Sequence, residues 1–380
     1  MANNLQSEVQ APIAKKEPYQ FRLHDNVHID NYHWIRTKKD PDALDYIKLE
    51  NSYTNHIMKD SKELQNKIFE ELKNRKEEES QSAPFLMNGY YYYRKFKKGT
   101  EYPIYFRFPK NTNIGEAKII LDVQKLSKGL DYCYVSEFKV SSNNQLLAYT
   151  LDSNGSEEYS VYIIDINSGK IIDIITRNIS DIEWANDNQT LFYTAQDDTN
   201  RPFQVYRYNI VSKAHKLIYK EDNQSYYLSI KKTKDQSLLI VEIESQITSE
   251  IRYLYANKPK SKLKLFSKRK EGVEYSIFKH LNDIYLLTNE DATNFKIIKT
   301  NLENKNEHIF LDHDLDQRIS YINIFENFLV VFFRKSGLPM IKVFDFSKDV
   351  FHTINLPDDN YSISMGSNKE FNSSKLRFKY

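Results

Sequence analysis

The chain has 380 residues, 40% hydrophobic and 28% charged, which are globular values and give length for one large domain or two ordinary ones. Basic and acidic residues nearly cancel, 54 against 52 for a net charge of +2, so no overall field draws nucleic acid or an anionic membrane. One cysteine, Cys133, excludes an internal disulfide framework and fits a reducing compartment, and the cytosol is the expected location.

Residues 1–16 are polar and read as a flexible N-terminus without the apolar core of a signal peptide. Asp40-Pro41 then offers an N-cap followed by proline in the first turn, which predicts a helix to about Met58 with Ala43, Leu44, Ile47, Thr54 and Ile57 on its buried face. A second helix is predicted from Asp60, with Glu63 completing a capping box and Leu64, Ile68 and Leu72 buried at i, i+4, i+8. It dissolves into the charged run Arg75-Lys76-Glu77-Glu78-Glu79. Residues 17–80 thus form a helical segment whose apolar faces need a partner surface.

From residue 81 to 380 the pattern is strands only, and it repeats. A polar turn precedes an apolar strand at Asn143-Asn144-Gln145 before Leu146, at Asn186-Asp187-Asn188 before Leu191, and at Lys234-Asp235-Gln236 before Leu238. Later copies start their strands at Ile284, Phe328 and Leu376, and an earlier one follows Asn88-Gly89 at Tyr90. The steps from Leu146 onward are 45, 47, 46, 44 and 48 residues. A period in this range built of strands signals a β-propeller with one blade per repeat, and seven copies give seven candidate blades. The aromatic share, 14%, also favours strands. The expected fold is therefore mainly β: a seven-bladed propeller whose seventh blade, with strands at Tyr361 to Met365 and Leu376 to Tyr380, is incomplete. Its last strand would present an unpaired edge.

Local chemical motifs are missing. There is no G-x-S-x-G elbow to expose a nucleophilic serine, and no H-E-x-x-H, P-loop, C-x-x-C or dinucleotide fingerprint. His24, His28 and His33, with Asp25 and Asp30, are the closest histidine group, but no full ligand ladder accompanies them. Asp312, Asp314 and Asp316 alternate like the start of a calcium loop, yet Gln317 stands where the glycine belongs and Asn323 where the bidentate glutamate belongs, so an acidic inter-blade loop is expected. Glu157-Glu158, adjacent on a strand, would point to opposite faces and share no acid/base site. Cys133, between Tyr132 and Tyr134, reads as a packed strand thiol, and Lys258 to Lys270 as a solvated loop and edge strand. The longest apolar run, Phe328 to Phe333, is too short to span a bilayer, and triplets such as Asn178-Ile179-Ser180 carry no glycosylation argument without a secretory signal. No catalytic, cofactor-binding or metal-binding residue is assigned.

Several segments in order resemble the oligopeptidase B branch of the prolyl oligopeptidase family of serine peptidases. They include Asp30-Asn31-Tyr32-His33-Trp34-Ile35-Arg36, Glu50-Asn51-Ser52-Tyr53-Thr54, Leu147-Ala148-Tyr149-Thr150-Leu151-Asp152, Gly155-Ser156-Glu157-Glu158-Tyr159, Arg201-Pro202-Phe203-Gln204-Val205-Tyr206-Arg207 and Thr288-Asn289-Glu290-Asp291-Ala292-Thr293-Asn294-Phe295. The resemblance runs from about Ala11 to the last blade. It implies a propeller that acts as a lid and size filter for an α/β-hydrolase domain carrying Ser, Asp and His, and that branch cleaves short peptides after Lys or Arg. None of that triad maps onto these residues, so the chain is expected to be inactive alone and to partner a separately encoded hydrolase domain, with peptides as gated substrates. A non-catalytic interaction module, or a truncated gene product, is the alternative.

Overall fold

The computed structural model describes residues 10–37 and 39–380, and these fall into two compact units that divide between Glu77 and Glu78. The N-terminal arm expected at residues 1–16 lies outside the described residues as far as position 9. Residues beyond that run extended and are anchored within their own unit, where the Trp34 indole N–H donates to the Lys15 carbonyl at 3.1 Å and the Lys15 ammonium sits 5.0 Å over the indole ring.

The first unit opens with a hairpin that sequence reading did not place, Tyr19–Leu23 against Asn26–Asp30. Its two-residue turn, His24-Asp25, has both φ angles positive, the twist that suits a tight hairpin. Helix α1 spans Pro41–Ile57, and the Asp40 carboxylate caps it by accepting the Asp42 N–H at 2.9 Å. Helix α2 spans Lys62–Arg75 and starts later than Asp60, which is taken up by a 3-10 turn at Lys59–Ser61. The expected capping box does not form; the Gln65 amide donates to Ser61 Oγ at 2.7 Å. Of the positions expected to be buried, only Ala43 is. Leu44, Ile47, Thr54 and Ile57 on α1 and Leu64, Ile68 and Leu72 on α2 are exposed, because no other element of this unit covers those stripes. No helix among the described residues is long and apolar enough to cross a membrane.

The second unit consists of seven antiparallel sheets, the blades of a β-propeller. Blade 1 contains Ser80–Gln81, Phe85–Met87, Tyr90–Phe96, Ile104–Pro109 and Lys118–Asp122. Its two shortest strands lie end to end on the same edge of Tyr90–Phe96, interrupted by Pro84, which has no N–H to offer the ladder. Blades 2 to 6 are four-stranded meanders beginning at Tyr134–Val140, Ile179–Trp184, Tyr227–Lys232, Tyr275–His280 and Gln317–Ile324. Blade 7 pairs Ser364–Met365 with Phe378–Lys379.

The repeat seen in the sequence is the second strand of each blade, Leu146–Asp152, Thr190–Gln196, Leu238–Glu244, Asp283–Thr288 and Phe328–Lys335 in blades 2 to 6. Successive side chains point to opposite faces, and here both faces meet a neighbouring blade. Leu147 and Tyr149 pack toward blade 1 while Ala148, between them, packs toward blade 3. Leu191 and Tyr193 face blade 2, whereas Phe192 faces blade 4. Six hydrophobic clusters result, one between each successive pair of blades. The turns entering these strands place Asn88, Asn144, Asn188, Gln236 and Leu281 in the left-handed region, a conformation that asparagine tolerates well and leucine does not.

Candidate functional site: the central channel

The first strands of the blades are innermost and surround a cavity of about 1000 Å³ that takes lining residues from all seven sheets. Each blade brings to it the strand that leads into its first turn: Met87 and Asn88, Lys139, Glu183, Lys231 and Lys232, Lys279, Asn323, then Lys369 and Glu370 from blade 7. The lining is charged, with seven lysines against four carboxylates.

Bulges in the first strands decide where some of these charges point. In blade 2 the register shifts between Val135 and Phe138, and in blade 3 between Ile179 and Ile182. The extra residue is held from the second strand, where Thr150 Oγ1 accepts the Glu137 N–H and Thr194 Oγ1 accepts the Asp181 N–H, both at 2.9 Å. A bulge re-aims its side chain. Here the Glu137 carboxylate reaches the Ile182 N–H of blade 3, and the Asp181 carboxylate the Ile230 N–H of blade 4, each at 3.4 Å. Burial, reinforced by the nearby Glu137 charge and only partly offset by the Ile230 N–H and Lys139, pushes the Asp181 carboxyl up to about 6. Burial and Glu242 likewise raise Glu244.

Most lysines of the channel are paired. Lys139 lies 3.4 Å from Glu183, Lys231 2.6 Å from Glu242 and Lys279 2.9 Å from Asp235. Lys232, its side chain 6% exposed, is 3.8 Å from Glu183, and burial lowers its pKa despite that carboxylate. Trp184 ties blade 3 to blade 2 by donating its indole N–H to the Lys139 carbonyl at 3.0 Å.

Comparison with known proteins fixes what this ring is. The family described as prolyl oligopeptidase, N-terminal β-propeller domain, matches residues 11–380. This chain belongs to that family. Among curated relatives of this prolyl oligopeptidase propeller, Protease 2 of Moraxella lacunata is 26% identical over 97% of this chain and 55% of its own length. Dipeptidyl aminopeptidase BI of Pseudoxanthomonas mexicana is 28% identical over 97% of this chain and 54% of its own. The chain thus spans little more than half the length of the curated relatives it matches. Oligopeptidase B from Leishmania major shares the fold with a TM-score of 0.90 at 24% identity, over 97% of this chain and 57% of that one.

The prolyl oligopeptidase propeller disperses the residues singled out from its sequence. Cys133 is buried against Leu121 and Tyr149 in coil just before Tyr134–Val140, so it is packed but not on a strand, and burial raises its thiol pKa. His28 stacks on Phe21 and His33 on Tyr19, while His24 forms the hairpin turn. Among the described residues no group of three His, Cys, Asp or Glu is placed to hold a metal. Glu157 and Glu158 sit in a loop and not on a strand: the Glu157 N–H, at φ +62°, donates to Asp152 at 2.9 Å. Asp312 to Asp316 joins blades 5 and 6, with the Asp314 and Leu315 carbonyls held by the Asn294 amide. Lys264–Ser267 is the outer strand of blade 4.

The channel charges were missed. Their signal was a lysine recurring at the end of the first strand, at Lys139, Lys231-Lys232 and Lys279, which has meaning only once the ring shows that those strands are innermost.

Proposed function

We propose that this chain is the substrate-admitting propeller of a serine oligopeptidase, acting with an α/β-hydrolase domain that supplies Ser, Asp and His on the same or a separate polypeptide. The observation that carries this is the channel. A volume of about 1000 Å³ matches the space a small ligand or short peptide segment fills, whereas a folded domain is about 30 Å across. Charged walls favour a polar, flexible substrate over an apolar one. Cleavage after Lys or Arg rests on the likeness of the segments around Asp30, Arg201 and Thr288 to the oligopeptidase B branch, and the single cysteine supports a cytosolic setting.

The test supplies the purified chain with a hydrolase domain from a relative and compares cleavage of a short Arg-containing fluorogenic peptide with that of a folded protein of ~100 residues, a typical domain size. The peptide should be cut, the folded protein spared, and the chain alone inert. Turnover by the chain alone that a serine-directed inhibitor abolishes would refute the division of labour. Equal cleavage of both substrates would refute the filter.

A further inference from the structure

Three lysines of the channel stand apart from the pairs described above: Lys379 on the last strand, and Lys234 and Lys369, which lie before it in the chain. Lys234 lies in the turn between the first two strands of blade 4, and its ammonium donates to Asn323 Oδ1 of blade 6 at 2.8 Å and caps the Phe325 ring at 3.1 Å. Lys369 lies on the blade 7 segment that follows Ser364–Met365. Neither has a carboxylate within 4 Å among the described residues. The nearby acids are committed: Asp235 holds Lys279 and two hydroxyls, from Thr233 and Ser237, and the Glu370 carboxylate accepts the Asn88 backbone N–H. The positions of Asn88, Lys234 and Glu326, whose N–H donates to the Phe371 carbonyl at 2.8 Å, put both lysines at the mouth ringed by the first turns of the blades.

Two ammonium groups facing one cavity, neither within 4 Å of a carboxylate, form an incomplete arrangement. An ammonium without an anion keeps its desolvation cost unrepaid, and an entering anion would satisfy both lysines at once. Lys234 bears the mark of that debt: burial, then the charge of Lys369, lower it to about 7, with Glu370 opposing. Burial of its ammonium end and the charge of Lys139 lower Lys369 as well, with Glu183 and Glu137 opposing, although the residue as a whole is exposed.

We propose that Lys234 and Lys369 form an anion-binding site at this mouth that takes the free C-terminal carboxylate of a peptide entering the channel. The proposal rests on the peptide-admitting reading and refines it, because a carboxylate leading into this mouth would orient the peptide and offset the excess positive charge of the walls. The peptide's remaining length would then lie along the carboxylates Glu183 and Glu137.

The experiment measures binding of one fluorescent hexapeptide to the 380-residue chain by anisotropy at pH 6.5, once with a free C-terminus and once amidated. The free acid should bind about tenfold more tightly, the size of one charge-assisted hydrogen bond. Lys369→Met and, separately, Lys234→Met should bring it to the level of the amide while the amide's own affinity stays unchanged, which also shows that each variant is folded. Equal affinity of acid and amide for the unaltered chain, or a preference that survives both substitutions, would overturn the site. Failure of both peptides to bind would overturn it too, whereas the size filter stands or falls separately on the cleavage of peptide against folded protein.

Discussion

Arg269, just after the outer strand of blade 4, bolts that blade to blade 3, and its removal should be costly in a pH-dependent way. Its guanidinium donates to Glu221 at 2.6 Å and to Glu250 at 3.0 Å, and stacks 4.1 Å from the Tyr226 ring centroid. Both carboxylate side chains are 7% exposed and Arg269 is 27% exposed. Arg269→Met would leave two buried carboxylates short of a counter-charge, a loss of about 3–5 kcal/mol for a fully buried pair. Here Glu250 keeps Arg252 at 2.9 Å, and Glu221 keeps the Tyr219 hydroxyl and the Asn223 N–H, so about 3 kcal/mol is expected at pH 7. Burial alone would raise Glu221, but the Arg269, Asn223 and Tyr219 hydrogen bonds outweigh it and hold the carboxyl below its usual value. A carboxyl depressed in the folded state contributes stability that is present above its unfolded pKa, about 4.3, and lost as pH falls through the folded value. The deficit of Arg269→Met should therefore be full above about pH 5 and shrink by roughly half toward pH 4, where the abandoned Glu221 carboxylate takes up a proton. Urea unfolding of both proteins at pH 4, 5.5 and 7 measures it. A loss below ~0.5 kcal/mol at pH 7, the level of an exposed pair, or one that does not change with pH, would show that the cluster is merely a surface contact.

Two further substitutions probe other parts of the ring. Lys234 carries the opposite linkage: its pKa of about 7 in the folded chain lies below the ordinary lysine value near 10.4, so its cost to folding is full below pH 7 and is relieved as pH rises toward 10. Lys234→Met should accordingly raise stability relative to the parent more at pH 6 than at pH 9, and a pH-independent difference in unfolding midpoint would contradict the low pKa. Leu281, 58% exposed at φ +53°, takes the turn position that asparagine occupies in blades 1 to 3. Leu281→Asn should stabilise by about 1 kcal/mol, read as a higher denaturant midpoint, and an unchanged midpoint would mean that the leucine packs against something worth as much as the strain.

What the sequence reveals follows from where burial is two-sided. The second strands are buried on both faces, so Leu191-Phe192-Tyr193 and Leu238-Leu239-Ile240-Val241 are continuous apolar runs whose spacing gives the blade count. Outer strands such as Lys264–Ser267 and His308–Leu311 are half solvated and leave no such trace. The first strand of blade 1 is broken at Pro84, and the Tyr19–Asp30 hairpin is exposed on nearly every residue, so neither has a pattern to read. Helical spacing did find α1 and α2, but an apolar stripe reports what a helix can bury and not what covers it, as Leu64 and Leu72 show. The channel was illegible for a different reason. Lys234 and Lys369 are 135 positions apart and become neighbours only when the ring brings blades 4 and 7 to the same mouth.

Blades 1 and 7 share no strand. Among the described residues one hydrogen bond joins them, from the Asn88 backbone to the Glu370 side chain, whereas every other adjacent pair is held by a wide apolar interface. The circle is therefore weakest at a single seam. A hydrogen-exchange map should find its fastest amides flanking that joint, and any widening of the bore would proceed as the parting of a clasp, with the six apolar junctions swinging as hinges behind it.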